Sequence, residues 1–294
     1  MRFCSTRSSD KTWTLTEAVF AGYAEDGGMF IPERIPDISG MFVVWGEAFV
    51  EGKNQNLFHQ VAVDVLSMFM EEIPKHDLEN IIEQAIIFPV CTSYFVGNET
   101  LRFDSSSDYA KVSWANDSIH ILELFHGPTY TFKDIGMQFL GRLMGYLLDQ
   151  QEKQEKISIL VATSGDTGSA AIHAVENHPL IELFVLYPRN GRISNLQERQ
   201  MATNTSDNIH CIRFDGCSDD VDVVVSRLFQ TESLKPFRLT TLNSVNIGRI
   251  LMQTVHFIFS YVQCFATKIL QSAKEGKPLP PVRFCIPTGG LGNG

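Results

Sequence analysis

Lys133 stands in the run His126-Gly-Pro-Thr-Tyr-Thr-Phe-Lys133-Asp134, behind an apolar segment of strand length and ahead of a helical pattern with Ile135, Phe139, Leu143 and Leu147 on one face. A lysine at a helix start sits in the positive end of the macrodipole. That field favours the neutral amine, which attacks a carbonyl to give a Schiff base. A solvated surface lysine is the alternative reading. A second loop, Thr163-Ser-Gly-Asp-Thr-Gly-Ser169, joins a strand pattern to a helix pattern. Gly165 and Gly168 permit a tight bend, Ser164, Thr167 and Ser169 supply hydroxyls, and the backbone amides converge where anions bind. This loop is neither a Walker loop nor a G-x-G-x-x-G dinucleotide fingerprint, and a plain strand-to-helix turn is its alternative. A third loop, Pro287-Thr-Gly-Gly-Leu-Gly-Asn-Gly294, offers Gly289, Gly290 and Gly292 as a backbone cradle for phosphate. A reactive amine, an anion loop and a phosphate loop at strand ends together suit a phosphorylated aldehyde. Pyridoxal phosphate fits: the lysine holds the aldehyde and the glycine loop holds the phosphate.

The elements that must position these loops follow from apolar periodicity. Strand-like runs cover Ile119–Leu124, Ile157–Ala162, Ile181–Tyr187, His210–Phe214, Arg238–Leu242 and Val282–Ile286. Helical patterns cover Asp134–Leu148, Ser169–Val175, Ser194–Met201, Asp219–Phe229 and Ile247–Ser272. Alternating strands and helices predict an α/β domain with a mostly parallel sheet and helices on both faces. Ligands bind such sheets beyond the carboxyl ends of the strands. Residues 1–95 read differently, as a mainly helical domain ahead of a catalytic domain over 96–294. There Thr14-Leu-Thr-Glu17 has capping-box spacing, Asp26-Gly27-Gly28 stops that first helix, and Met29 to Pro32 reads as extended. Two more amphipathic helices cover Phe58–Met70 and Leu78–Ile87.

Composition bounds the partners. The 294 residues are 44% apolar and 20% charged, which excludes dominant disorder and allows about two domains. The formal net charge is −10, without basic blocks, which argues against nucleic acid or an anionic membrane as the main partner. Cys4, Cys91, Cys211, Cys217, Cys264 and Cys285 form no C-x-x-C pair and read as small apolar fillers in a reducing compartment. The first residues carry no secretory apolar region. Leu251 to Ala266, the most apolar stretch, contains Gln253, His256 and Gln263 and reads as a buried helix too short and too polar to span a bilayer. A cytoplasmic protein is the expectation. Asp219, Asp220 and Asp222 read as a solvated helix start, and no metal site is expected. His126 reads either as a contact to cofactor or substrate or as a turn residue. Arg192, Asn243, Asn246 and Arg249 are candidates for substrate-phosphate contact or for interdomain hydrogen bonds.

With these motifs in place the chain resembles the threonine synthase family, in the branch of fungal and threonine synthase-like animal proteins. The matching stretches are Ser5-Thr-Arg7, Asp26-Gly-Gly-Met-Phe-Ile-Pro32, Leu122-Glu-Leu-Phe-His-Gly-Pro-Thr-Tyr-Thr-Phe-Lys-Asp134, Thr163 to Ala171, Gly191-Arg-Ile-Ser194 with Gln197 and Gln200-Met201, and Asn243-Ser-Val-Asn246 with Arg249. The resemblance implies the fold-type II (tryptophan synthase β-like) architecture with an extra N-terminal domain. It implies pyridoxal phosphate on Lys133, with Gly289, Gly290, Leu291 and Asn293 lining its phosphate and Asp166 beside it. It implies Ser164, Gly165, Thr167, Arg192, Asn243 and Arg249 on the substrate side.

The implied substrate is a phosphorylated amino acid such as O-phospho-L-homoserine. Expulsion of its phosphate leads either to 2-oxobutyrate and ammonia, as in a phospho-lyase, or to L-threonine, as in a true threonine synthase. The family's loop usually reads Gly-Asn-Phe-Gly where this chain has Gly289-Gly290-Leu291-Gly292, a departure shared with the phospho-lyase-like animal proteins. The expectation therefore leans to the lyase outcome. Family members run further than Gly294, so the chain reads as a fragment or truncated product. A non-catalytic binding or signalling role is the rival reading.

Overall fold

The computed structural model describes residues 1–52, 56–88, 90–96, 99–101, 120–189, 193–216, 218–287 and 292. In chain order the elements are β1 (Phe3–Ser5), β2 (Thr12–Trp13), α1 (Leu15–Ala21), β3 (Phe30–Pro32), α2 (Met41–Val50), α3 (Leu57–Phe69), α4 (Lys75–Ala85), β4 (Cys91–Val96), β5 (Glu99–Leu101) and β6 (Ile121–Glu123). There follow α5 (Lys133–Asp149), β7 (Ile157–Ala162), α6 (Thr167–Val175), β8 (Ile181–Pro188), α7 (Asn195–Ala202), β9 (Ile209–Phe214), α8 (Ser218–Gln230), a 3₁₀ turn over Glu232–Phe237, β10 (Leu239–Thr240) and α9 (Ile247–Glu275). Two compact units are interleaved along the chain. One comprises Met1–Glu33 with Pro128–Ile250, the other Arg34–Gly127 with Leu251–Gly294.

The first unit holds a parallel sheet of order β10-β7-β8-β9. Its register pairs Ile157 with Ile181 through Ala162 with Leu186, and Leu239 with Ser158. Five successive residues of β7 are buried. A run with no exposed face is what a parallel strand covered on both sides requires. The cover includes α6 and α8, both packed on β7 and β8, while α5 packs on α6. That last contact is close: a Cβ on Gly141 of α5 would lie 2.5 Å from the Ala174 carbonyl oxygen. Only glycine lets these two helices meet there.

The same unit contains a small antiparallel sheet, β2-β1-β3. Its loop is locked by Asp26, whose Oδ1 accepts from the Ser5 hydroxyl at 2.7 Å and from the Gly28 amide at 2.8 Å, while Arg7 donates to the Asp26 carbonyl at 2.7 Å. Those bonds hold the Asp26 carboxyl below its usual range. Ser5-Thr-Arg7 and Asp26 to Pro32 thus interlock with each other, a structural role. The Thr14/Glu17 capping box opens α1, with Thr14 Oγ1 accepting from the Glu17 amide.

The second unit is built from α2, α3, α4, the antiparallel sheet β5-β4-β6 and most of α9. Trp45 is buried and donates its indole N–H to Asp64 at 3.1 Å, and Phe58 meets Phe259 edge to face. The helix α2 was not expected, because Phe-Val-Val-Trp favours strands by propensity; burial of Trp45 overrides it.

Two expectations are corrected here. Val282–Ile286 forms no strand: Val282 and Phe284 are exposed by 39% and 47%, and an extended run becomes a strand only when a neighbour supplies the ladder. Leu251–Ala266, read as too short and too polar to span a bilayer, lies in the helix predicted over Ile247–Ser272, which runs from Ile247 to Glu275, 29 residues, long and apolar enough by length and composition to cross a bilayer. Of its most apolar window, 61% is buried inside the protein.

Arg249, Gln253, His256, Ser260 and Gln263 recur at helical spacing along α9, and all are buried. His256 is fully buried, and among the described residues neither of its ring nitrogens has a hydrogen-bond partner. Burial pulls its pKa from 6.5 to about 3. Below pH 6.5 the unfolded chain's histidine takes a proton that folded His256 refuses. Stability therefore falls as pH drops from about 6.5 toward 3, by about 1.4 kcal/mol per pH unit. Between pH 7 and pH 5 the protein should lose about 2 kcal/mol more than its His256→Leu variant. Urea unfolding of both proteins at both pH values measures this, and parallel losses would show that His256 is not the group responsible.

Candidate functional site

The carboxyl ends of adjacent strands carry the candidate residues. The loop after β7 holds Ser164, Gly165 and Asp166 and runs into α6 at Thr167; the loop after β10 holds Asn243 and runs into α9 with Arg249. β10 pairs with β7, so both loops leave the same edge of the sheet. Lys133 is the first residue of α5 and reaches this edge: its Nζ lies 3.5 Å from Asp166 Oδ2.

The lysine loop is built around Asp134. This carboxylate is fully buried and accepts from the Thr129 amide at 2.9 Å, the Thr129 hydroxyl at 2.6 Å and the Thr131 amide at 3.4 Å. The Thr131 hydroxyl accepts from the Lys133 amide at 3.2 Å. Between the two threonines Tyr130 is forced to φ 60°, a left-handed conformation that is uncommon for an aromatic residue. Such strain persists where the surroundings over-determine it, and it concentrates at functional sites.

Lys133 is only 19% exposed, and its ammonium stacks on the Phe132 ring at 4.5 Å. Its pKa lies below the ordinary lysine value. Burial is the largest cause, and the positive charge of Arg249 acts in the same direction, while Asp166 and Asp134 oppose them. Desolvation, rather than the helix dipole expected from the position of Lys133 at a helix start, heads the causes.

Asp166 occupies the N-cap of α6, yet its side chain makes no capping bond to that helix. Its Oδ1 instead accepts from Gln197 Nε2 at 2.5 Å. Gln197 belongs to the capping box of α7: Ser194 Oγ accepts from the Gln197 amide, and Gln197 Oε1 accepts from the Ser194 hydroxyl at 2.8 Å. One turn on, Met201 is fully buried against Gly168, where a Cβ would lie 2.1 Å from its sulfur. Beyond its place in the family motif, Gln197 has no site role that its own segment reveals. Its capping-box spacing was the available signal.

Other candidates divide. Arg249 is 1% exposed, donates to the Leu242 carbonyl at 3.2 Å, and has its pKa lowered by burial to about 10. Asn246, also buried, donates to the carbonyls of Val19 and Thr241 and accepts from the Gly248 amide, so its side chain is spent on structure. Asn243 lies half-buried, with its carbonyl accepting from the Asn246 amide. Ser164 is exposed and Thr167 half-buried. His126 pairs with Glu123 at 2.7 Å, which suits a structural turn role. Arg192, Gly289, Gly290, Leu291 and Asn293 lie outside the described residues. Gly292 is described, and its carbonyl accepts from Gln253 at 2.6 Å. Cys4, Cys211, Cys264 and Cys285 are free thiols. Among the described residues no His, Cys, Asp or Glu group is arranged to hold a metal ion.

The family described as Threonine synthase N terminus matches residues 2–86. The chain is 34% identical over 301 residues to the threonine synthase of Schizosaccharomyces pombe, covering 99% of this chain and 52% of that protein. It is 34% identical over 296 residues to the threonine synthase-like 2 protein of Xenopus laevis, covering 100% of this chain and 56% of that protein. The crystal structure of PLP-bound threonine synthase from Brucella melitensis superimposes with a TM-score of 0.69 at 29% identity, over 92% of this chain and 57% of that one. The chain spans about half the length of the curated relatives it matches. Residues 2–86 thus match the threonine synthase N-terminal family, and the chain as a whole is similar to threonine synthases in sequence and in its fold-type II α/β architecture.

Proposed function

We propose that this chain carries the amine-bearing part of a pyridoxal-phosphate-dependent phospho-lyase. Its substrate would be O-phospho-L-homoserine or a related phosphorylated amino acid, and its products phosphate, 2-oxobutyrate and ammonia. The observation that carries this is Lys133: a primary amine at a helix start, desolvated and of lowered pKa, beside a carboxylate at the carboxyl edge of a parallel sheet. These residues fit the cofactor. Burial shifts the amine toward its neutral form relative to an exposed lysine, and it stays open enough to meet an aldehyde. The similar Brucella melitensis threonine synthase was crystallised with PLP.

In this reading residues 1–95 form the family's N-terminal domain and 96–294 the catalytic part. Lys133 and Asp166 meet the cofactor, and Gly289, Gly290, Leu291 and Asn293 cradle its phosphate. Ser164, Gly165, Thr167, Arg192 and Asn243 face the substrate, with buried Arg249 as a fixed positive charge behind them. When bound, pyridoxal phosphate supplies an electron sink for loss of a proton from the substrate's α-carbon. Lys133 Nζ, whose neutral form burial favours, would accept that proton. The positive end of α6 holds anionic oxygens near the Ser164–Thr167 turn. Gly290 and Leu291 are smaller than the Asn and Phe usual in the family, which leaves less to confine an unsaturated product for directed attack by water. The protein would act in the cytoplasm on a small molecule, without nucleic acid or membrane.

Incubation of the cofactor-loaded protein with O-phospho-L-homoserine, with products resolved by chromatography, tests the proposal. The expected result is 2-oxobutyrate in excess over threonine. Dominant threonine would assign the synthase outcome instead. Release of no phosphate would remove both.

A further inference from the structure

Asp166 is an N-cap aspartate that does not cap. An uncapped helix start forgoes a stabilising bond, and a local rule broken in this way points to another use for the side chain. Its two oxygens are divided between two partners. Oδ1 accepts from Gln197 Nε2 at 2.5 Å, a full hydrogen bond, whereas Oδ2 stands 3.5 Å from Lys133 Nζ, longer than an ordinary ammonium–carboxylate bond. Gln197 is itself fixed from two sides. Its Oε1 is engaged by Ser194 in the α7 capping box, and the helix is docked one turn later by Met201 against Gly168. Its Nε2 would lie 3.5 Å from a Cβ on Gly165, so the amide roofs the same turn.

We propose that Gln197 is a positioning residue that tethers Asp166 at the edge of Lys133's reach, keeping the amine from closing into a tight ion pair. The tether has a second consequence. When Lys133 is consumed by a carbonyl, Asp166 keeps a donor and is not left unpaired. The inference rests on the reading of Lys133 as a reactive amine. The charged groups acting on Lys133 are Asp166 and Asp134, which favour the ammonium, and Arg249, which disfavours it.

The test needs neither cofactor nor substrate. A limiting amount of fluorodinitrobenzene labels the protein from pH 6 to 11, and mass spectrometry of the Lys133 peptide gives the titration midpoint of that amine alone. In Gln197→Glu the carboxylate still accepts from Ser194, so the capping box survives, but nothing donates to Asp166. Gln197→Met keeps length and helix propensity and removes both bonds. Both variants should raise the midpoint by about one pH unit, slowing labelling at pH 8 about tenfold, since an opposite charge brought closer favours the ammonium. Asp166→Asn should lower it, and in the D166N background Gln197→Met should add nothing, because Gln197 acts through Asp166. An unchanged or lowered midpoint in both single variants overturns the tether, as does an equal shift with and without D166N. A wild-type midpoint at or above that of ordinary surface lysines would instead overturn the reading of Lys133, a distinguishable failure.

Discussion

Lys133→Ala should reduce turnover by about 10³-fold or more and abolish borohydride-stable attachment of pyridoxal phosphate to the protein. The magnitude follows from two tasks resting on one nitrogen: holding the cofactor's carbonyl and moving the α-proton. Lys133→Arg separates charge from nucleophilicity. It keeps a cation beside Asp166, yet a guanidinium stays protonated, so it should fail as completely as alanine. Stability should change by no more than about 0.5 kcal/mol in the alanine variant. The amine is desolvated and its carboxylate partner is 3.5 Å away, so little is lost when it goes. Folded protein that still forms a borohydride-stable adduct after Lys133→Ala would place the attachment elsewhere.

Asp134→Ala should destabilise the protein by about 3 kcal/mol. Three donors, the Thr129 amide and hydroxyl and the Thr131 amide, converge on this buried carboxylate. Hydrogen bonds to a charged acceptor contribute about 1.5–3 kcal/mol each, less than additively, and the donors would remain in place without a partner. Part of the loss is offset, because Tyr130 is freed from its left-handed conformation. Asp134→Asn retains one acceptor oxygen and should cost about half as much. Chemical denaturation gives both values. A loss below about 0.5 kcal/mol for alanine would mean that the loop is held by something other than Asp134. The variant should also blunt Lys133, whose amide is fixed through the Thr131 hydroxyl.

Much of the fold was legible because its signals are local. Four successive apolar residues in β7, Ile159 to Ala162, the 3.6-residue period of α5 and α9 and the Thr14/Glu17 capping box need no distant partner to be recognised. The position of Lys133 at the start of α5 came from the same source, while α6, read from Ser169, begins two residues earlier at Thr167. What failed was non-local. Val282–Ile286 has strand composition but no neighbour to pair with, while α2 has strand-like residues but a core site for Trp45. The chemistry of the site divides in the same way. Residue types and loop order sufficed to nominate Lys133 and the Ser164–Thr167 turn. Only the tertiary structure brought Asp166, 33 residues on, to within 3.5 Å of the amine, and Gln197, 31 residues beyond that, onto the far oxygen of the same carboxylate. Burial, which lowers the lysine pKa more than any charge around it, is likewise a property of packed neighbours rather than of any segment.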